Sequence, residues 1–370
     1  MLSDTAVTVE TLREWLETGA SVTVLDVRPA AQRAEWSIPG SRHVNAYDRL
    51  RADDPQALAG VDLPTDQPVV VVCAAGQTSL RGAAQLRARC VPAVSLAGGM
   101  HAWSHAWNTA EVPLPGSPAR VIQVRRSAKG CLSYLIGAGD EALVIDAALD
   151  PAIYQALAEA RGWRIRRVVD THIHADHLSR SRLLAAATGA LLYLPAQERA
   201  RYPFTALRDG DTLAVGAARL SILRTPGHTA ESSCLLLEDR VLFTGDTLFP
   251  TAVGRPDLEA TAEEAAARSA ALYRSLTRIL ALPPTTLVLA GHTTPPVAFD
   301  RQPIGASLAM IRPHVPGLEQ PVGAFVADLL GRLPPPPPNH QRLVACNEAG
   351  EFAEPEDTAL EAGGNRCAVG

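Results

Sequence analysis

Seven residues, "THIHADH" at 171–177, set three histidines and an aspartate directly behind the apolar run "RIRRVVD" at 164–170. A strand leading straight into His172, His174, Asp176 and His177 is a severe constraint on the fold. Alternate residues of extended backbone share a direction, so His172 and His174 point the same way. Asp176 and His177 then fall at the entry of the next helix. Four such groups buried together need partners, and one metal ion or two would satisfy them. Three further polar residues end apolar strands in the same manner: His228 in "TPGH", Asp246 in "FTGD" and His292 in "LAGH". Each follows a glycine, which lets backbone approach closely.

The rest of the chain divides by texture. Over residues 1–114, short apolar runs alternate with helical stretches. "TVETLREWLETG" predicts a helix opened by Thr8 or Thr11 and stopped at Gly19. "SVTVLDV" (21–27) and "PVVVVCAAG" (68–76) predict buried strands, and 79–90 a helix. This alternation predicts a parallel sheet covered on both faces. "TAEVPLPGSPAR" (109–120), with three prolines and a glycine, predicts a linker. Residues 115–345 form the second unit, an α/β sandwich with active groups at strand ends. "LPPPPPNH" (333–340) reads as an extended strap. The tail 346–370 is expected to be partly disordered or strapped onto the domain.

Chemistry in the first unit centres on "CAAGQTS" (73–79). A buried strand ends at Cys73, a loop containing Gly76 follows, and a helix begins. Backbone N–H groups of Ala74, Ala75, Gly76, Gln77, Thr78 and Ser79 can therefore ring the thiol beside a helix N-terminus, which stabilises a thiolate or persulfide. Together with "VLDVRPAAQRAEWSIPGSRHVN" (24–45) and "LAGGMHAW" (96–103), this loop resembles the rhodanese family in the right order. The resemblance implies a sulfurtransferase in which Cys73 is the nucleophile that carries sulfane sulfur. Gln77 and Thr78 stand where many thiosulfate-using members have a cation, so a persulfide is the better expected donor.

The seven histidine and aspartate residues of the second unit resemble the metallo-β-lactamase superfamily, whose fold is an αββα sandwich. Dinuclear zinc hydrolases of glyoxalase II type would use all seven: His172, His174 and His228 on one ion, Asp176, His177 and His292 on the other, Asp246 bridging. Persulfide dioxygenases of the same superfamily would hold one Fe(II) per chain on His172, His228 and Asp246. Positions then stay open for a sulfur anion and O₂, and the remaining four support the ligands. "VGRPDL" (253–258) resembles the dioxygenases' substrate-binding segment, with Arg255 as a carboxylate clamp. "PPNHQRLVACN" (337–347) resembles their C-terminal stretch. The fusion to a sulfur carrier favours the dioxygenase. The expected reaction takes a thiol persulfide such as glutathione persulfide, with O₂ and water, to sulfite and free thiol; sulfur transfer at Cys73 would involve thiosulfate or sulfite. The alternatives are the dinuclear zinc thioester hydrolase and a sulfur-relay module whose metal domain only binds a partner.

Composition excludes several classes. A net charge of −5 over 370 residues gives no reason to expect nucleic acid or acidic membrane. No run approaches the length of a membrane span, and no leader is evident, so the chain is expected to be cytoplasmic, with a homodimer possible. Six scattered cysteines predict thiols. Cys90, Cys131 and Cys234 are expected in the core. Lys129, the one lysine, is expected in a polar turn. His43, His101, His105, His314 and His340 are given no functional role. Cys367, three residues from the end, is a candidate sulfur acceptor on a flexible arm.

Overall fold

The computed structural model describes residues 5–315, 317–353, 358–363 and 366–370. The first sheet is parallel throughout, with strands Ala6–Val7 (β1), Thr23–Asp26 (β2), Arg42–His43 (β3), Val69–Val72 (β4) and Ala93–Leu96 (β5) in the order β1-β5-β4-β2-β3. The run of valines in β4 serves two cores at once. Val70 and Val72 pack with Leu12, Met100 and Trp103 on one face, while Val69 and Val71 pack with Leu50, Ala83 and Leu86 on the other. That is why the strand reads as continuously apolar. Helix Val9–Thr18 is capped by the Thr8 hydroxyl and ends at Gly19 with φ 71°, matching the expected signals.

A second sheet contains Trp107–Val112 (β6), Arg120–Arg126 (β7), Leu132–Ala138 (β8), Glu141–Ile145 (β9), Arg164–Val169 (β10), Leu191–Pro195 (β11) and Thr205–Leu207 (β12), in sequence order across the sheet. The stretch expected as a linker, 109–120, thus holds the end of one strand and the start of the next. β6 pairs antiparallel with β7 from Trp107↔Arg126 to Val112↔Val121, and the prolines only turn the hairpin. The second sheet begins at Trp107, ahead of the prolines rather than after them.

The third sheet runs Thr212–Val215 (β13), Ala218–Arg224 (β14), Ser233–Leu237 (β15), Val241–Gly245 (β16), then Leu287–Ala290 (β18) and Ala306–Ser307 (β19). Between β16 and β18 lies Val253–Gly254 (β17), which pairs outside this sheet with Ala368–Val369 (β20). Sheets two and three face each other across one core that includes Tyr134, Ile136, Leu143, Leu220, Ile222, Leu235 and Phe243. Helices Pro151–Glu159 and Ser181–Thr188 cover the outside of the second sheet. Helix Ala262–Leu280, opened by a Thr261–Glu264 capping box, covers the third. The result is an αββα sandwich behind a doubly covered parallel sheet, as expected. Among the described residues no helix is long and apolar enough to cross a membrane.

One local expectation, a core Cys90, needs correction, and two, the turn at Lys129 and the strapped tail, are sharpened. Cys90 is exposed, because it holds φ 61° where the helix Gln77–Arg87 ends and its side chain turns outward. Lys129 is buried, with 6% of its surface exposed. The tail is docked: helix His340–Ala349, the buried Glu361 and Cys367, and β20 all pack on the second unit. Residues 354–357 and 364–365 of the tail, where disorder is expected, lie outside the described residues.

The two units touch along a cavity of about 540 Å³ that His105 and Arg180 help to line. Burial, then the nearby Arg126 charge, pushes His105 from 6.5 down to about 4. The folded protein keeps this ring neutral while the unfolded chain protonates it. Its stabilising contribution is therefore complete above pH 6.5 and is lost as the pH falls toward 4. Thermal midpoints of wild type should drop more steeply across that window than those of His105→Asn; parallel curves would refute this.

Candidate metal centre and sulfur cradle

β10 ends at Val169, and the loop behind it is held by groups from distant elements. Asn347, on the tail helix, donates from Nδ2 to the carbonyls of His174 and His177, both at 2.8 Å, and accepts from the Ser179 N–H at 2.8 Å. Glu231 accepts from the Ile173 N–H at 3.1 Å. Asn347 lies inside the C-terminal stretch flagged by resemblance, but nothing local in the sequence marks it as the clasp of the histidine loop. Asn347→Ala should weaken metal retention by about 10–100-fold, measurable by competition with a chelator; unchanged retention would remove Asn347 from this role.

His172, His228 and Asp246 come together. Their ligand atoms lie within 4.8 Å of one another, with His172 Nε2 3.9 Å and His228 Nε2 3.7 Å from Asp246 Oδ2. Donors each about 2.0–2.2 Å from one ion sit roughly 3–4 Å apart, so the set fits a metal. Four of the rings are oriented through their other nitrogen. His172 Nδ1 donates to Thr171 Oγ1 at 2.9 Å, and Thr171 in turn donates to Asp146. His228 Nδ1 donates to the Arg255 carbonyl at 2.8 Å. His292 Nδ1 donates to Asp246 Oδ1, and His177 Nδ1 to Asp176 Oδ1, both at 2.9 Å. This leaves Nε2 of His172, His174, His177, His228 and His292, and Oδ2 of Asp246, buried with no hydrogen-bond partner. Unpaired buried polar atoms are costly. Six of them gathered in one cluster fit a cation and nothing apolar.

His174 departs from this pattern. Its Nε2 lies 3.3 Å from Asp146 Oδ1 and 3.8 Å from Asp170 Oδ1, and these three form a cluster of their own. Burial alone would depress its pKa, but Asp146 and Asp170 overcome that and raise it well above the ordinary histidine range. His172 and His228 go the other way: burial lowers both, so both keep a lone pair for a metal. Burial would raise Asp246, yet His292, His172 and His228 bring it below the usual carboxylate range.

The glycines ahead of these ligands have work to do. A Cβ on Gly245, whose φ is 48°, would lie 2.4 Å from Thr171 Oγ1, and one on Gly291 would lie 2.8 Å from Asp246 Oδ1. Cys131, expected as plain core, is buried but contacts Asp176 Oδ2 at 3.5 Å. Arg255 is also placed differently from expectation. It is fully buried, and all five guanidinium donors are taken. Nε and Nη2 grip Asp257, Nη1 reaches the Pro335 and Arg366 carbonyls, and Nη2 reaches Pro334. In this structure it ties the polyproline strap and the tail to the metal loop and has no donor left for a substrate carboxylate.

In the first unit, Cys73 Sγ accepts from the Gly76 N–H at 3.1 Å and the Ser79 N–H at 3.3 Å, with Ser79 Oγ at 3.2 Å. Of the six cradle residues these two supply the donors. Ala75 and Gln77 are exposed, Thr78 is buried, and Ala74 lines a cavity of about 230 Å³ beside Arg28, Met100 and His101. Gly76 must be glycine: its φ is 86°, and a Cβ would lie 2.9 Å from the Gly98 nitrogen. The Asp-x-Arg motif closes on itself, Arg28 gripping Asp26 at 2.7 Å, and His43 Nε2 bonds the Arg28 carbonyl. Ala362 and Gly363 of the tail line the same cavity as Ala74.

Residues 8–106 match the Rhodanese-like domain profile, and residues 126–292 match the Metallo-beta-lactamase superfamily profile. A hydroxyacylglutathione hydrolase from Maricaulis maris is 31% identical over 209 residues, covering 55% of this chain and 75% of that protein. The crystal structure of ETHE1 from Myxococcus xanthus is 30% identical with a TM-score of 0.54, covering 62% of this chain and 98% of that one. The chain belongs to the metallo-β-lactamase superfamily. A rhodanese-like domain precedes the superfamily fold. Another superfamily relative, hydroxyacylglutathione hydrolase from Methylococcus capsulatus, is 40% identical over 152 residues, 40% of this chain and 56% of that protein. The chain spans little more than half the length of several curated relatives it matches.

Proposed function

We propose that this chain is a persulfide dioxygenase joined to a sulfur carrier. The observation that carries this reading is the grouping of His172, His228 and Asp246, with His174 Nε2 turned toward Asp146 although its ring stays 4.3 Å from that of His172. A dinuclear hydrolase needs His172, His174 and His228 on one ion, whereas here His174 lies against Asp146 and Asp170. His172, His228 and Asp246 form the two-histidine, one-carboxylate set by themselves, a facial arrangement suited to Fe(II) and O₂ chemistry. The likeness to ETHE1 over nearly all of that chain supports the same reading. So does the fusion, because both units would then handle sulfane sulfur.

In this reading His172, His228 and Asp246 would hold one Fe(II), which would supply electrons for the reduction of O₂ beside the sulfur anion. Thr171 and the Arg255 carbonyl hold the imidazoles by Nδ1, and His292 holds Asp246. The buried setting keeps bulk water away. At the other site the Cys73 thiolate attacks the outer sulfur of R–S–SH, forms Cys73–S–SH and releases R–S⁻. Cys73→Ser should abolish sulfur transfer from glutathione persulfide to sulfite and leave iron content unchanged. Transfer that survives the substitution would rule out Cys73 as the carrier.

The second reading is a dinuclear zinc thioester hydrolase. It is favoured by the curated relatives named hydroxyacylglutathione hydrolase. Oxygen consumption with glutathione persulfide, together with metal analysis, decides between the two. One iron per chain with oxygen uptake supports the dioxygenase; two zinc ions with thioester hydrolysis and no oxygen uptake overturns it.

A further inference from the structure

We propose that the ammonium group of Lys129 limits the metal centre to one ion, by placing a fixed positive charge on the side of Asp176 and His177, where a second ion would bind. The inference deepens the one-ion reading above and rests on it. Lys129 is the one lysine of the chain, and only 6% of its surface is exposed. Among the described residues its ammonium has no hydrogen-bond or ion-pair partner. A buried charge without a bonded partner is costly, so stability gives no reason to keep it there. Its field does: the charge acts on Asp176, Cys131 and Cys367. Cys131, Asp176 and His177 form a group whose ligand atoms lie within 4.8 Å of one another, separate from the group of His172, His228 and Asp246. Cys131 Sγ contacts Asp176 Oδ2 at 3.5 Å. This is the side that a second ion would share with His292.

The turn between β7 and β8 fixes the lysine in place. The Gly130 N–H donates to the Arg126 carbonyl at 2.8 Å, and the Arg126 N–H donates to the Cys131 carbonyl at 2.9 Å. The turn is clamped from outside as well. The Ser127 N–H donates to the Ala106 carbonyl of the first unit at 2.7 Å, Ser127 Oγ donates to the Val297 carbonyl at 2.6 Å, and the Thr293 N–H donates to the Gly130 carbonyl at 2.9 Å. A Cβ on Gly130, whose φ is 84°, would lie 2.1 Å from the Thr293 carbonyl oxygen, and Cys131 bridges to His292. Lys129 therefore sits in a turn wedged against the segment that carries His292. Arg126, the other cation beside this turn, is held by Glu361 and the Ser104 carbonyl. Burial would raise the Asp176 carboxyl, but His177, His292 and Lys129 together hold it well below the usual carboxylate range. A divalent ion arriving at Asp176 finds that charge already balanced. It also meets the ammonium in a site of low dielectric, where like charges repel strongly.

The test counts metal. Full-length apoprotein is dialysed against excess Co(II), freed of unbound ion and analysed for cobalt per chain. Wild type should hold one cobalt, Lys129→Met two, and Lys129→Arg, which keeps the charge, one. A Lys129→Met protein that holds one cobalt overturns the proposal and leaves the one-ion reading standing. Two cobalt ions in Lys129→Arg also overturn it, because the positive charge would then not be what limits the site. Two cobalt ions in wild type overturn the one-ion reading itself, and the proposal with it. If Lys129→Met fails to fold, Lys129→Gln carries the same expectation of a second ion, since its amide keeps a polar end on a similar stem but removes the charge.

Discussion

His172→Ala is expected to lower sulfite formation from glutathione persulfide by more than about 100-fold and to release the bound ion. Groups that merely orient metal ligands cost 10–100-fold when removed, so loss of a direct ligand must exceed that. His174→Ala is expected to cost no more than about tenfold and to leave the ion in place, because its Nε2 is turned toward Asp146 and Asp170 even though its ring packs 4.3 Å from that of His172. The difference between two histidines only two residues apart is the strongest functional test of the site. Metal analysis and an oxygen electrode read it directly. Equal loss of metal in both variants would mean that His174 swings into the centre, and the dinuclear reading would then prevail.

Glu361→Ala is expected to destabilise the protein by about 3–5 kcal/mol, which lowers the thermal midpoint by roughly 10 °C for a domain of this size. Glu361 is completely buried. Its carboxylate meets Arg126 Nη1 at 2.8 Å and Arg180 Nη2 at 2.8 Å, and it accepts the Leu178 N–H at 2.9 Å. Removing it strands two buried guanidinium groups. Burial alone would raise the pKa of this carboxyl, but Arg126 and Arg180 outweigh burial and hold it far below the usual glutamate range. Its contribution is therefore present above the unfolded-state value and is lost only as pH falls through the much lower folded value. Mild acid should not reproduce the effect of the substitution. Calorimetry of wild type and Glu361→Ala at neutral pH measures the difference, and matching midpoints would show that the tail is not docked on the sandwich in solution.

Much of the site was legible because its signals are local. The polar residues that end apolar strands reached the same end of the sandwich, since strand direction and the glycine before each ligand are encoded within a few residues. The cradle of Cys73 was legible for the same reason: Gly76 and Ser79 lie three and six positions from the thiol, in one turn and the start of one helix. The partners of His174 were not legible. Asp170 is adjacent in sequence but reads as a strand end, and Asp146 lies 28 residues away across a parallel pairing. Arg255 misled because an arginine in a loop reads as available, and only the fold reveals that carbonyls from the polyproline strap and the tail consume its donors. Cys90 misled because apolar neighbours cannot report a positive φ.

The sequence by itself determined several of the longer strands, the polar residues that end them, where the cradled thiol of Cys73 sits and that a cluster of metal-ligand residue types is present. These are consequences of short-range periodicity, glycine placement and residue chemistry. Tertiary structure alone decided that His174 Nε2 faces Asp146 and Asp170, that a tail rich in alanine, glycine and glutamate docks through one buried carboxylate, and that Cys367 is buried beside Asp176 and Asp246. Each of those outcomes depends on pairing between segments far apart in the chain, β20 on β17 above all. Such register is settled by the packing of the assembled sandwich and leaves no local trace in the order of residues.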